Sequence, residues 1–73
     1  MNSASDLREM NDDALLQELA EAKQSLYNLR FRNATGQLAS PAEIPLVRRH
    51  VARVNTELRA REIAAADALA GQE

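Results

Sequence analysis

Seventy-three residues without a cysteine allow one small domain and exclude disulfides and thiolate metal sites. Of 33 apolar residues 14 are alanines, and Tyr27 and Phe31 are the two aromatics, so a large self-sufficient core is excluded as well. The formal charge of −2 divides sharply along the chain: residues 1–27 sum to −4, residues 28–61 to +5 and residues 62–73 to −3. Local field governs which partner a surface attracts, so the central segment is a basic module inside an acidic chain. No apolar run is long enough to span a bilayer. The opening MNSASDLREM lacks the basic-then-apolar order of a signal peptide, and the expected location is the compartment of synthesis.

Ser3 or Ser5 can cap a short helical turn through Asp6–Glu9. Asn11 then reads as the cap of a long helix over about residues 12–34, with Asp12 and Asp13 in the first turn, where negative charge suits the helix dipole. Met10 before the cap and Leu15 at the fourth helical position make a hydrophobic staple. Leu15, Leu19, Ala22, Leu26 and Leu29 follow at alternating spacings of four and three, a stripe that faces a partner helix. Leu16, Ala20, Tyr27 and Phe31 form a second, flanking stripe. Gly36 is placed to end the helix near Ala34 or Thr35, opening a turn over about residues 35–40.

Ser40-Pro41-Ala42-Glu43 reads as a second helix start, with a serine cap, a proline at the first helical position and a capping-box glutamate. Ile44, Val47, Val51, Val54 and Leu58 supply the matching stripe of a helix over about residues 41–62. Pro45 deletes one intrahelical bond under that start, so either the helix breaks there or Ser40–Ile44 is a separate turn and the regular helix begins near Pro45. Residues 63–73 have almost nothing to bury and read as a frayed tail. The expected fold is all-α: one domain, two long antiparallel helices in a hairpin, and a short N-terminal helical turn. Such a hairpin encloses no core, and the Tyr27 and Phe31 side is left as a docking surface in need of a partner.

The arginines can be sorted by their helical neighbours. Arg53 and Arg61 each have Glu57 four residues away, and Arg59 has Glu62 at three. Arg30, Arg32, Arg48 and Arg49 have no acid at either spacing, and the hairpin gathers them near its turn. An unneutralised cluster of planar guanidinium groups suits phosphate, and an A-form RNA helix presents rows of phosphates to a protein that reads shape. Asn33, Thr35 and Gln37 add neutral donors and acceptors around the turn.

LRFRNATGQL (residues 29–38), SPAEI (40–44) and VRRHVARVNTELR (47–59) resemble the first-helix end, turn and second helix of the large-subunit ribosomal protein twenty-nine family in its bacterial form. LREMNDDALLQELAEAKQSLYN (residues 7–28) continues the resemblance more weakly. Pro45, His50 and Asn55 stand where that family usually has other residues. The resemblance implies a non-enzymatic, ribosome-bound cytoplasmic protein of bacterial type, with an organellar ribosome as the alternative. It implies binding to large-subunit ribosomal RNA near the polypeptide exit tunnel, beside ribosomal protein twenty-three, where nascent-chain chaperones and the signal recognition particle work. Carried onto matching positions, it marks Arg30, Gln37, Arg48, Arg49 and Arg53 for RNA contact. Arg32, with no acid at helical spacing, joins them.

Other sites are not supported. His50 is the one histidine, with no cysteine to complete a zinc site, and reads as a packing or surface residue. Asp12 with Asp13, and Glu18 with Glu21, read as dipole and solubility charges rather than acid–base pairs. No cofactor or metal is expected, and the loose likeness to all-helical chorismate mutases lacks their third long helix. The alternative to a ribosomal role is a free dimeric helical-hairpin adaptor that binds RNA or protein.

Overall fold

A computed structural model describes residues 3–71 and contains three helices: α1 (Ala4–Glu9), α2 (Asp12–Ala34) and α3 (Glu43–Ala70). The two long helices form an antiparallel hairpin. Asp12 at the start of α2 meets Arg61 late in α3, and Glu18 meets His50. Leu29 and Val47, nearer the turn, line one groove. The result is a rod of 56 × 20 × 17 Å.

Side-chain caps set the helix starts at the N-terminal end. Ser3 and Asp6 form a reciprocal capping box, each side chain accepting the other's backbone N–H at 3.2 Å. Asn11 Oδ1 accepts the Ala14 N–H at 2.7 Å and starts α2. Helix α2 ends in a Schellman motif: the Gln37 N–H donates to the Arg32 carbonyl at 2.8 Å and the Gly36 N–H to the Asn33 carbonyl at 3.2 Å. Gly36 makes this possible with φ +74, a conformation that a side chain disfavours.

The second long helix departs from the sequence reading at both ends. It starts at Glu43 with Ala42 as its cap residue, and no side chain caps it, so the expected Ser40 cap and Glu43 capping box are absent. Ser40–Ala42 form a turn in which the Glu43 N–H donates to the Ser40 carbonyl and the Ile44 N–H to the Pro41 carbonyl. Pro45 therefore falls at the third helical position, where a backbone N–H has no intrahelical partner to lose. The Pro41 carbonyl that Pro45 cannot bond is occupied by Ile44 at 3.1 Å. No break follows. At the far end α3 continues to Ala70, through most of the segment read as a frayed tail; Gln72 and Glu73 lie outside the described residues. Glu62 to Gly71 are all exposed, so this extension rests on alanine-rich helix propensity and on an already nucleated helix.

The core lies at the end away from the turn. Leu7, Leu15 and Val54 are fully buried, with Met10, Leu19 and Leu58 packed against them. Here α1 folds back on α3, closing the end of a hairpin that two helices alone leave open. Arg61 ties this corner. Its guanidinium donates to Asp12 at 2.7 Å, to Glu57 at 3.2 Å, and to the carbonyls of Leu7, Arg8 and Met10 at 3.3, 3.3 and 2.6 Å. Those carbonyls cluster at the C-terminal end of α1, where the helix dipole is negative and a cation is favoured; the Leu7 carbonyl also accepts the Met10 N–H at 3.2 Å.

Candidate nucleic-acid interface

The turn end carries a cluster of arginines that have no ion pair among the described residues. Arg30 and Arg32 stand on the last turns of α2, and Arg48 and Arg49 on the second turn of α3. All four are exposed. Among the described residues, no carboxylate lies within ion-pair distance of any of them; the ion pairs present involve His50, Arg59 and Arg61. Glu43 is the one acid on the neighbouring turns, and it shares a shallow groove with Arg32, Ser25, Asn28, Leu29, Leu46 and Val47. Arg48 and Arg49 line a second groove with Pro45 and Ala52 on the outer face of α3.

Arg53 lies farther along α3, beside α1, in a groove lined by Ala4, Leu7, Arg8, Ala52, Thr56 and Glu57. Its expected partner Glu57 is engaged elsewhere: that carboxylate accepts from Arg61 at 3.2 Å, and Arg53 is left without an ion pair among the described residues. The i,i+4 spacing permits both pairs, and Arg61 wins because it is already held by Asp12 and three carbonyls. Gln37 contributes its backbone N–H to the Schellman motif and keeps an exposed side chain. Tyr27 and Phe31 are 66% and 58% exposed. One helical turn apart on α2, they form an aromatic ridge beside Arg30.

Three features were not legible in the chain. The Arg61 clasp is one, because its partners lie about fifty residues away and the local Glu57 gave a sufficient account. The Asp12 hydrogen bond, reinforced by Glu57 and opposed by partial desolvation, raises the Arg61 pKa above the ordinary arginine value. The second is His50, which is 4% exposed, with Nε2 2.6 Å from Glu18 Oε1 and Nδ1 buried without a partner. That pairing corrects the reading of Glu18 as a solubility charge. Its signal was the position of His50 between Val47 and Val54, at the seam. The third is Arg8, which sequence places in the acidic segment and the fold places next to Arg53.

Unpaired guanidinium groups make this a surface that can bind anions. Among the described residues, no group of His, Asp or Glu is arranged to hold a metal ion, and no helix is long and apolar enough to cross a membrane.

Residues 5–61 match the family model described as Ribosomal L29 protein, which spans α1, α2, the turn and most of α3. The chain belongs to the ribosomal L29 family. Its relatives carry the name "Large ribosomal subunit protein uL29". That of Mycobacterium sp. (strain KMS) is 48% identical over 71 residues, covering 97% of this chain and 92% of the relative. That of Saccharopolyspora erythraea is 49% identical over 61 residues, covering 84% and 76%. The protein of Carboxydothermus hydrogenoformans is 52% identical over 61 residues, covering 84% and 88%. Every arginine of the turn-end cluster falls inside the segment matched to the L29 family, as do Arg8, Arg53 and Arg61.

Proposed function

We propose that this chain is a structural, non-enzymatic constituent of the large ribosomal subunit, held on large-subunit ribosomal RNA by Arg30, Arg32, Arg48, Arg49 and Arg53, with Gln37 at the turn. The observation that carries the proposal is the unpaired arginine cluster at one end of a hairpin of the L29 family. Guanidinium groups without internal carboxylates present all their donors to an incoming phosphate, and no ion pair has to be broken first. Tyr27 and Phe31 supply the uncharged part of the contact, against RNA or a neighbouring protein. Family membership supports a place near the polypeptide exit tunnel beside ribosomal protein twenty-three, where chaperones and the signal recognition particle meet the nascent chain. Relatives from bacteria support a cytoplasmic, ribosome-bound location.

Binding to in-vitro transcribed large-subunit RNA, measured across salt concentrations, tests this reading. Arg48→Ala and Arg49→Ala each weaken binding and reduce the salt slope by roughly 0.7–0.9 per lost phosphate contact. Replacing Tyr27 and Phe31 by alanine lowers affinity with little change of slope. Unaltered slopes in both arginine variants would assign those side chains to protein contacts or solvent.

A further inference from the structure

The grooves on the outer face of α3 are not separate. Arg48 and Arg49 line one with Pro45 and Ala52; Arg8 and Arg53 line the next with Ala52 and Thr56, and Ala52 is common to both. From Pro45 to Thr56 the helix rises about 16 Å. We propose that Arg8, delivered by α1, extends the RNA-binding surface away from the turn, so that Arg48, Arg49, Arg53 and Arg8 form one continuous strip for a single sugar-phosphate backbone. This rests on the reading of the turn-end arginines as RNA ligands, and adds to it a residue from the acidic N-terminal segment and a direction for the RNA, along the rod rather than only across its tip.

The electrostatics of the strip favour phosphate. Among the described residues the Arg8 guanidinium donates one hydrogen bond, to Ser5 Oγ at 3.4 Å, and makes no ion pair. Asp12, four residues on, is not available to it: the chain turns at Met10–Asn11 and that carboxylate is bound by Arg61 at 2.7 Å. Glu57 is the one acid lining the Arg8–Arg53 groove, and it too is held by Arg61. Asp6 is occupied in the capping box. Arg61 thus withdraws two carboxylates from the neighbourhood of Arg8 while fastening the helix that carries it. Ala4, Ala52 and Pro45 line the two grooves with small side chains that let a backbone approach closely.

The salt titration with transcribed large-subunit RNA separates this proposal from the one beneath it. Arg8→Ala and Arg8→Gln, the second retaining a donor for Ser5, each lower the slope by roughly 0.7–0.9, and Arg8→Lys restores it. Circular dichroism checks that helix content is kept, and the glutamine variant decides if the alanine variant loses it. Unchanged slopes in both Arg8 variants, with a reduced slope in Arg48→Ala, would overturn the strip and leave the turn-end reading standing. Slopes unchanged in all of them would overturn both. A loss of affinity in Arg8→Gln without a change of slope would place Arg8 in a protein or packing contact and would also overturn the strip.

Discussion

His50 shows how much a single polar contact can weigh in so small a fold. Its Nε2 meets the Glu18 carboxylate across the seam at 2.6 Å, while Nδ1 is buried without a partner. A hydrogen bond to a charged acceptor contributes about 1.5–3 kcal/mol, against a total of about 3–5 kcal/mol expected of a core this size. His50→Ala also removes buried volume, and is expected to destabilise the free protein by about 2–3 kcal/mol in urea melts. A midpoint equal to wild type would contradict that. Sequence placed His50 at the seam edge but could not pair it, because helix spacing defines neighbours only within one helix. The same limit hid the Arg61 clasp and the approach of Arg8 to Arg53. In each case the partner belongs to another element, and which residues meet there depends on register.

Registers and boundaries are set at the scale of elements, and here the chain was more readable. The leucine and valine stripes, the Asn11 cap and the Gly36 stop are local signals, each with a mechanism that acts within a few residues. The start of α3 stayed open between two readings because Ser40-Pro41-Ala42-Glu43 and Pro45 offer conflicting starts. The conflict resolves when the turn lengthens and Pro45 moves to a position with no bond to lose. Two substitutions test this account in opposite ways. Gly36→Ala meets no atom within 4 Å, so its cost is purely conformational, about 1 kcal/mol for a side chain at φ +74. Pro45→Ala is expected to be neutral or to cost less than about 1 kcal/mol through the more flexible unfolded chain. A stabilisation near 3 kcal/mol would show instead that Pro45 interrupts a helix interior. Equilibrium denaturation measures both.

As a whole molecule the protein is an electrically divided rod. The turn end carries Arg30, Arg32, Arg48 and Arg49 against Glu43, while Asp6, Glu9, Asp12, Asp13, Glu18 and Glu21 lie toward the other end, where the core sits. The buried cluster and the Arg61 clasp hold the acidic end, and the turn end carries the arginines that have no ion pair among the described residues. Net charge conceals this division, but the charge profile along the chain shows it, because a hairpin folds its central segment into one end. In the proposed function the turn-end arginines hold this chain on the large ribosomal subunit. The most direct test is sucrose-gradient sedimentation of lysates containing the wild-type chain or a variant with Arg30, Arg32, Arg48 and Arg49 replaced by alanine. The wild-type chain is predicted to migrate with the large subunit and the variant to shift to the top of the gradient. A wild-type chain that stays at the top, or a variant that remains fully bound, would contradict it.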